Sequence, residues 1–254
     1  MAEVVIVTSA EEAGELAAGA IAALVAEKPD AVLGLATGST PLTTWAALAA
    51  RRLDLSRLRG FALDEYVGLP PGHPESYRAV ITREVVEPLG LTPDLVRVPD
   101  GPVETVGVEY EAAIAAAGGV DLQVLGIGRT GHIGFNEPGS SFASRTRVKT
   151  LTEQTRRDNA RFFDSVDDVP MHCVTQGLGT ILEARHLVLL AFGEAKAEAV
   201  AGTVEGPVTA SVPGSAVQLH PHVSVIIDEA AASRLAHADY YRYAWANRFA
   251  WERL

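Results

Sequence analysis

Cysteine is almost absent from this sequence of 254 residues, in which Cys173 is the single example. One cysteine excludes a disulfide within the chain, and a lone cysteine is usually a small buried hydrophobic residue. Because proteins without disulfides are typical of reducing compartments, we expect this protein to be cytoplasmic.

Positive charge is scarce as well. The sequence has 21 Lys and Arg residues against 32 Asp and Glu residues, so its formal net charge is -11. This balance argues against a general nucleic-acid-binding protein, whose affinity for phosphate backbones comes from many Lys and Arg contacts. An anionic ligand would therefore need a local basic site.

The sequence also lacks a long hydrophobic segment. The most apolar N-terminal run, residues 16–26, is far shorter than the about 20 residues that cross a bilayer. Glu11, Glu12 and Glu15 precede this run, where a signal peptide would carry positive charge. We therefore predict neither a signal peptide nor a membrane span.

The whole sequence has 48% apolar and 21% charged residues, which is ordinary for a globular protein. Its short apolar runs alternate with helical patterns. Strands are predicted at residues 4–7, 31–35, 61–63, 120–125, 187–192 and 223–227. Helices are predicted from a capping box of Ser9 and Glu12 to residue 27, after Pro41, and at residues 76–86, 103–116, 193–204 and 229–236. This alternation predicts one α/β domain over residues 1–254, with a mostly parallel sheet and helices on both faces.

The stretch GIGRTGHIGFNEPGSS, residues 126–141, follows an apolar run and is too rich in turn residues to form a helix. Gly126 and Gly128 should therefore mark the C-terminal end of a buried strand, which is where open α/β sheets keep their ligand crevice. We expect the loop to present His132 and Glu137 into this crevice. The glycines would let the backbone approach a small ligand closely.

The glycines Gly126, Gly128 and Gly131 also match the dinucleotide fingerprint G-x-G-x-x-G. That fingerprint needs a helix that starts at the third glycine and an acidic residue about 20 positions later, which binds the ribose. Neither is present, because turn residues follow Gly131 and residues 150–152 are Thr, Leu and Thr. The sequence therefore favours another small ligand over a nucleotide.

A second loop of small residues follows another predicted strand. Gly38, Ser39 and Thr40 precede Pro41, a residue favoured at the first position of a helix. Such a loop offers free backbone N–H groups and a positive dipole end to an anion, so phosphate is its natural ligand. A plain turn with a polar cap fits the same residues, and this alternative stays open.

Asp64 and Glu65 stand at the end of the next predicted strand, before a loop rich in proline and glycine. Adjacent carboxylates on a loop are most often solvated. Their position beside the predicted crevice favours a functional role instead.

Residues 144–161 form a basic segment in this acidic protein. A run of charge is usually a solvated face, but directly after the predicted site it could supply the positive potential that a phosphate requires. Lys196 lies in the first turn of a predicted helix, where a cation opposes the helix dipole. We expect this lysine to pair with an anion.

Several of these segments together resemble the glucosamine-6-phosphate deaminase family, and the likeness runs nearly end to end. The motifs that carry it are TGSTP (37–41), LDEYVGL (63–69), HPESY (73–77), GHIGFNEPGSS (131–141), SRTRVKTL (144–151), RRDNARFF (156–163) and QLHPH (218–222). The resemblance implies a Rossmann-like α/β fold and an enzyme that converts glucosamine 6-phosphate and water into fructose 6-phosphate and ammonia. We expect no cofactor and no metal, since no His, Cys or carboxylate cluster has convincing ligand spacing.

The resemblance also implies roles for individual residues. It assigns Asp64 as the base that moves a proton between C2 and C1, His132 as the group that opens the pyranose ring, and Glu137 as the carboxylate that orients this histidine. It implies a mobile lid at about residues 151–173. The sugar phosphate would be held by Gly38, Ser39, Thr40, Arg161 and Lys196.

One candidate catalytic position departs from the family pattern. Many members carry Asp two residues before the ring-opening histidine and some carry Asn, whereas this chain has Thr130. A carboxylate there would favour the imidazolium by charge attraction, but a hydroxyl offers only a hydrogen bond. We therefore expect His132 to depend more heavily on Glu137.

Other properties of the protein stay open in the sequence. In some branches of the family an allosteric amino-sugar phosphate site uses positions that match Ser140, Arg147 and Lys149, but those residues also occur where allostery is absent. The oligomeric state is open, with a homo-oligomer as one alternative, and so is a preference for galactosamine 6-phosphate.

A 6-phosphogluconolactonase and a noncatalytic sugar-phosphate sensor are the rival functions, although the segment FNEPGSS after the Gly-His pair favours the deaminase.

Overall fold

A computed structural model of the protein describes residues 2–249 and 254. In these residues the strands are β1 (Ala2–Val7), β2 (Val32–Leu35), β3 (Arg59–Ala62), β4 (Asp64–Val67), β5 (Val96–Arg97), β6 (Leu122–Gly126), β7 (Arg147–Thr150), β8 (His172–Thr175), β9 (His186–Ala191) and β10 (Val223–Asp228). The helices are α1 (Ala10–Glu27), α2 (Leu42–Ala50), α3 (Tyr77–Ile81), α4 (Glu87–Leu89), α5 (Val106–Ala116), α6 (Glu153–Asn159), α7 (Leu178–Leu182), α8 (Ala197–Val204) and α9 (Ala238–Ala246). A π-helical turn, Thr82–Val86, joins α3 to α4.

Seven strands form one parallel sheet in the order β1-β10-β9-β6-β2-β3-β5. Its inner strands are rich in Val, Leu and Ile, and every residue of β2 and β9 is buried. Strands that are buried on both faces belong to parallel sheets covered by helices. The predicted α/β fold with a mostly parallel sheet is confirmed.

A second, antiparallel sheet has the strand order β4-β8-β7, and the apolar pattern of the sequence predicts none of its strands. The chain leaves the large sheet at Leu63, whose N–H donates to Leu35 O, and Asp64 already begins β4. β7 alternates between half-buried and exposed residues, so it lacks the continuous apolar run of a buried strand. Cys173 is fully buried in the hydrophobic cluster that packs on this sheet, as expected for a lone cysteine.

At the start of α1, only one of the two hydrogen bonds of the predicted capping box is present. Ser9 Oγ accepts a hydrogen bond from Glu12 N–H at 3.2 Å, as an N-cap side chain should. The Glu12 carboxylate does not close a reciprocal capping box, because it accepts from the Thr8 N–H at 2.9 Å instead of from Ser9.

The helix predicted at residues 229–236 is wrong, since this segment forms turns and the last helix of the described chain is α9. Side-chain acceptors compete with the helical hydrogen bonds here. Asp228 Oδ1 accepts from Ala231 N–H at 2.8 Å, and the Glu205 carboxylate accepts from the N–H groups of Ala236 and His237. These contacts hold the alanine-rich stretch in turns despite its helix propensity.

The described part of the chain contains no helix with both the length and the apolar character that crossing a bilayer requires. The aromatic residues Tyr241 and Trp245 of α9 pack against the main hydrophobic core. These two aromatic residues, four positions apart, therefore have a packing role, whereas Phe249 is exposed.

Candidate active site

A crevice of about 670 Å³ lies at the carboxyl ends of β2, β3 and β6. These ends meet because neighbouring parallel strands all finish at the same edge of a sheet. The small-residue loop after β2, residue Asp64, the glycine-rich loop after β6 and part of segment 151–173 contribute to its walls. The structure therefore brings the predicted strand-end loops together in one place.

Asp64 is the acidic side chain placed deepest in this crevice, with 6% of the residue exposed. Burial and the neighbouring Glu65 charge raise the pKa of Asp64 well above its ordinary value, and a hydrogen bond from the backbone of Phe135 offsets part of this rise. Gly134 has φ +53°, and a Cβ there would lie 3.6 Å from Asp64 Oδ2. The loop after β6 can thus bring its backbone close to this carboxyl group.

Glu65 points away from the crevice and has a structural role. Its Oε1 accepts from the N–H groups of Tyr66 at 2.7 Å and Tyr77 at 2.8 Å, and its Oε2 accepts from Arg78 N–H at 2.8 Å. Two of these donors belong to the first turn of α3, so the carboxylate caps that helix. Of the two adjacent acids, one therefore faces the crevice and the other anchors a helix.

His132 is held in place from two sides. A Cβ added to Gly128 would lie 2.1 Å from His132 Cε1, so the imidazole occupies the space that any larger residue at position 128 would need. On the other side, His132 Nδ1 lies 2.9 Å from Thr130 Oγ1 and 3.4 Å from Glu137 Oε2. The predicted pairing of His132 with Glu137 is present in the structure, with Thr130 beside both.

Glu137 is a buried carboxylate with donors on both oxygens. Its Oε1 accepts from Thr152 N–H at 3.3 Å, from Thr152 Oγ1 at 3.1 Å and from Thr155 Oγ1. Its Oε2 accepts from Thr130 Oγ1 at 3.3 Å. Burial alone would raise the pKa of Glu137, but His132 and these donors outweigh it and lower the pKa to about 2. The side chain is therefore a carboxylate at neutral pH.

Basic side chains gather at one end of the crevice. Lys196 Nζ donates to Ile127 O at 2.7 Å, and Arg161 Nη2 lies 3.5 Å from Ser39 Oγ. Burial lowers the pKa of Lys196, and the nearby charges of Arg161 and Arg129 add to this effect while Asp158 opposes it. A partly buried ammonium beside other cations favours an anion as its ligand.

The structure places each predicted phosphate ligand in this crevice: Gly38, Ser39, Thr40, Arg161 and Lys196. Gly38 has φ +85°, a conformation that side-chain-bearing residues rarely adopt, and it opens the turn before α2. Sequence reasoning missed Arg129, which also lines the crevice and lies 3.8 Å from Asp158. The sequence feature that could have identified Arg129 is its position directly after Gly128, at the end of β6.

Segment 151–173 covers the crevice with α6 and short helical turns. Its residues Thr155, Asp158 and Asn159 are among the lining side chains, and Asn159 Nδ2 donates to the Tyr66 hydroxyl at 3.0 Å. Thr152 caps α6 by accepting from Thr155 N–H at 3.1 Å. Sequence reasoning did not connect Thr152 and Thr155 with Glu137, although the Thr-x-x-Thr spacing marks a helix start.

Ser140, Arg147 and Lys149 are not among the described residues that line the crevice. Arg147 donates to Asn136 Oδ1 at 2.9 Å and to Ser140 Oγ at 3.3 Å, while Ser140 Oγ donates to Glu137 O at 2.7 Å. Lys149 lies two residues along β7 from Arg147, on the same side of the strand. The structure thus brings Ser140 and Arg147 together outside the crevice.

Comparison with known proteins places this chain in a family. Residues 7–226 match the family model described as glucosamine-6-phosphate isomerases/6-phosphogluconolactonase. A glucosamine-6-phosphate deaminase of Streptomyces avermitilis is 62% identical over 98% of this chain and 99% of its own length, and one of Bifidobacterium longum is 59% identical over 99% of each. The solved structure of a monomeric glucosamine-6-phosphate deaminase has a TM-score of 0.89 and 43% identity, covering 91% of this chain and 99% of that one. The chain belongs to the glucosamine-6-phosphate isomerase/6-phosphogluconolactonase family.

Proposed function

We propose that this protein is a glucosamine-6-phosphate deaminase, which converts glucosamine 6-phosphate and water into fructose 6-phosphate and ammonia. The observation that carries the proposal is one crevice that holds a buried carboxyl group, a histidine paired with a carboxylate, and a cluster of cations. The high identity to proteins named as deaminases supports the same activity.

Ring opening is the first step, and His132 performs it. An imidazole can accept a proton as well as donate one, so His132 can take the proton of the C1 hydroxyl and deliver a proton to the ring oxygen. The C1–O5 bond breaks and the open-chain aldehyde forms. Glu137, a carboxylate whose Oε2 lies 3.4 Å from His132 Nδ1, orients the imidazole.

Asp64 then moves a proton from C2 to C1. A single carboxylate placed over both carbons can remove the C2 proton and later return it to C1. When the C2 proton leaves, the aldehyde oxygen takes one proton from the C2 ammonium group, which gives an enolamine. Burial gives this group a raised pKa, which makes its ionised form a stronger base. The product is an imine at C2. Water adds to this imine, the C2–N bond breaks, ammonia leaves, and the ketone of fructose 6-phosphate remains.

The substrate phosphate binds at the basic end of the crevice. Lys196 and Arg161 supply charge, and the loop of Gly38, Ser39 and Thr40 before α2 supplies hydrogen-bond donors. Arg129 adds a third cation at the same end. In an acidic protein, this cluster gives a phosphorylated sugar the local positive potential that it requires.

Segment 151–173 serves as a lid in this proposal. It carries Arg161 toward Ser39 and holds Glu137 through Thr152 and Thr155, so its closure brings phosphate binding and histidine orientation together. A separate amino-sugar phosphate site would be formed by Ser140, Arg147 and Lys149, of which Arg147 donates to Ser140 Oγ.

The decisive experiment measures ammonia release from glucosamine 6-phosphate by the purified protein. Galactosamine 6-phosphate in a parallel assay determines the sugar preference, and 6-phosphogluconolactone tests the rival hydrolase activity. We expect ammonia from the glucosamine substrate and a lactone hydrolysis rate no greater than the spontaneous one. Lactone hydrolysis without ammonia release would reject the proposal, and binding of sugar phosphates without either reaction would indicate a sensor.

A further inference from the structure

The hydroxyl of Thr130 lies between the histidine and the carboxylate of the catalytic loop. Thr130 Oγ1 is 2.9 Å from His132 Nδ1 and 3.3 Å from Glu137 Oε2, whereas Nδ1 and Oε2 are 3.4 Å apart. The hydroxyl is therefore closer to the imidazole nitrogen than the carboxylate is. The interaction of His132 with Glu137 is therefore more than a direct salt bridge, because the Thr130 hydroxyl contacts both side chains.

The hydrogen atoms of the triangle can be assigned from chemistry. An ionised carboxylate only accepts hydrogen bonds, and a threonine hydroxyl has one proton to donate. Because Glu137 is ionised at neutral pH, the hydroxyl donates its proton to Oε2. Toward His132 the same oxygen can then only accept, so Nδ1 must carry a proton.

Glu137 cannot easily replace the hydroxyl. Its other oxygen, Oε1, accepts from Thr152 and Thr155, and these contacts hold the carboxylate in its present position. The imidazole also lies against Gly128, and this contact limits the movement of the ring. Both partners are thus fixed, and Thr130 fills the space between them.

We infer that Thr130 is a positioning residue that relays the charge of Glu137 to His132 and fixes the imidazole with its proton on Nδ1. The other nitrogen, Nε2, is then the one that exchanges a proton with the ligand in the crevice. This inference deepens the proposed deaminase function and rests on it for its catalytic consequence, but the protonation pattern itself does not depend on the identity of the substrate.

The first test reads the protonation pattern directly. Two-bond 1H–15N correlation spectra of the labelled, ligand-free protein distinguish a protonated from an unprotonated ring nitrogen, at a pH where the ring is neutral. The His132→Gln variant identifies the His132 signals. We expect a protonated Nδ1 in the wild type and in Thr130→Ser, which keeps the hydroxyl, and a mixture of both tautomers in Thr130→Val, which replaces the hydroxyl by a methyl group.

The second test is kinetic and uses ammonia release from glucosamine 6-phosphate. Loss of a hydrogen bond to a charged network corresponds to a rate loss of about ten- to a hundredfold. We expect Thr130→Val to lower kcat by this factor with little change in KM, and Thr130→Ser to restore most of the rate. Thr92→Val is the matched control, because Thr92 donates to Ser56 O at an exposed site outside the crevice.

The two tests separate the possible failures. The same tautomer in Thr130→Val and in the wild type overturns the relay, whatever the rates are. A changed tautomer with an unchanged kcat overturns its role in catalysis. If the wild-type protein releases no ammonia, the proposed function fails, while the spectra still decide whether Thr130 fixes the imidazole. Thermal unfolding of each variant shows that the compared proteins are folded.

Discussion

The two edges of the large parallel sheet both bury titratable side chains, with different results. At the carboxyl edge, donors surround the buried Glu137 and lower its pKa to about 2, so that its charge persists. At the amino edge, His186 begins β9 and stacks on His222 with ring centroids 3.7 Å apart. Burial, together with the neighbouring His222 and His220, lowers the pKa of His186 to about 3, so that this ring stays neutral.

Burial disfavours charge at both edges, and the surrounding groups decide the outcome. The Glu137 carboxylate has hydroxyl and N–H donors on both oxygens, whereas the nearest polar partner of His186 Nε2 is Ser224 Oγ at 2.9 Å. Asp64 is an intermediate case, because burial raises its pKa and the Phe135 N–H offsets only part of the rise. A buried group whose charged form receives some hydrogen bonds can take up and release a proton, so it is suited to proton transfer. A buried group whose charged form receives none stays neutral and has a structural role.

The largest effect should come from removing the base of the carboxyl edge. Asp64→Asn keeps the size of the side chain but cannot accept the C2 proton, so we expect kcat to fall by about 100- to 10,000-fold. Binding of fructose 6-phosphate, measured by calorimetry, should change by no more than a few fold. A variant that keeps more than about half of the activity would reject the assignment of Asp64.

Glu65→Gln is the matched control for Asp64→Asn, since it changes the neighbouring acid. Glu65 accepts from three backbone N–H groups, two of them in α3. Loss of its charge should weaken this cap by about 1 kcal/mol and lower the unfolding temperature. The rate of ammonia release should change far less than in Asp64→Asn. The pair of variants therefore separates chemistry from helix capping.

The next largest effect should follow from displacing His132. Gly128→Ala places a Cβ 2.1 Å from the imidazole Cε1, so the ring has to leave its present position beside Thr130 and Glu137. We expect activity to fall by about a hundredfold, as when a general acid is lost. Gly19→Ala in α1 is the control, because its Cβ meets Arg51 only at 3.8 Å. Near-normal activity in Gly128→Ala would contradict the proposed role of the imidazole.

A smaller effect should come from the cations that hold the phosphate. Lys196→Ala should weaken binding of fructose 6-phosphate by about ten- to a hundredfold, since it removes a charged hydrogen bond in a partly buried site. Arg161→Ala should weaken binding less, because Arg161 is exposed and solvent screens its charge. Arg57→Ala, another exposed arginine, is the control. Unchanged dissociation constants in both variants would remove these residues from the phosphate site.

Much of this architecture could be predicted from the sequence, because buried parallel strands appear as continuous apolar runs. The loops after β2 and β6 could be located for the same reason, together with Gly38, His132 and Glu137. The antiparallel strand β7 could not, since its residues alternate in exposure and form no apolar run. The resemblance to a known family, and not periodicity, supplied the individual residue roles.

The contacts that complete the site were beyond prediction for a different physical reason. The separate roles of Asp64 and Glu65 depend on the unpredicted strand β4, in which neighbouring side chains point to opposite faces. The Thr152 and Thr155 contacts to Glu137 join residues that are 15 and 18 positions apart, and only tertiary packing brings them together. Local sequence rules relate only residues that are a few positions apart, so they cannot predict contacts over such separations.

The smallest predicted effect concerns stability at the amino edge. His186 has an ordinary pKa of 6.5 in the unfolded chain and a pKa of about 3 in the folded protein. As the pH falls below 6.5, the unfolded chain takes up a proton that the folded protein refuses, so stability decreases down to a pH near 3. This single group can contribute a slope of at most about 1.4 kcal/mol per pH unit. Its neighbour His222, whose pKa burial also lowers, acts in the same direction.

The His186→Gln variant removes this titration while keeping a polar side chain beside Ser224. We expect urea unfolding between pH 6.5 and 4.5 to show a shallower loss of stability in this variant than in the wild type, even if its stability at pH 7.5 is somewhat lower. His237→Gln is the control, because it removes a histidine that is exposed on the surface. Parallel stability curves for the wild type and His186→Gln would show that the amino edge does not make the fold sensitive to acid. The contrast between the two edges would then rest on the carboxyl edge alone.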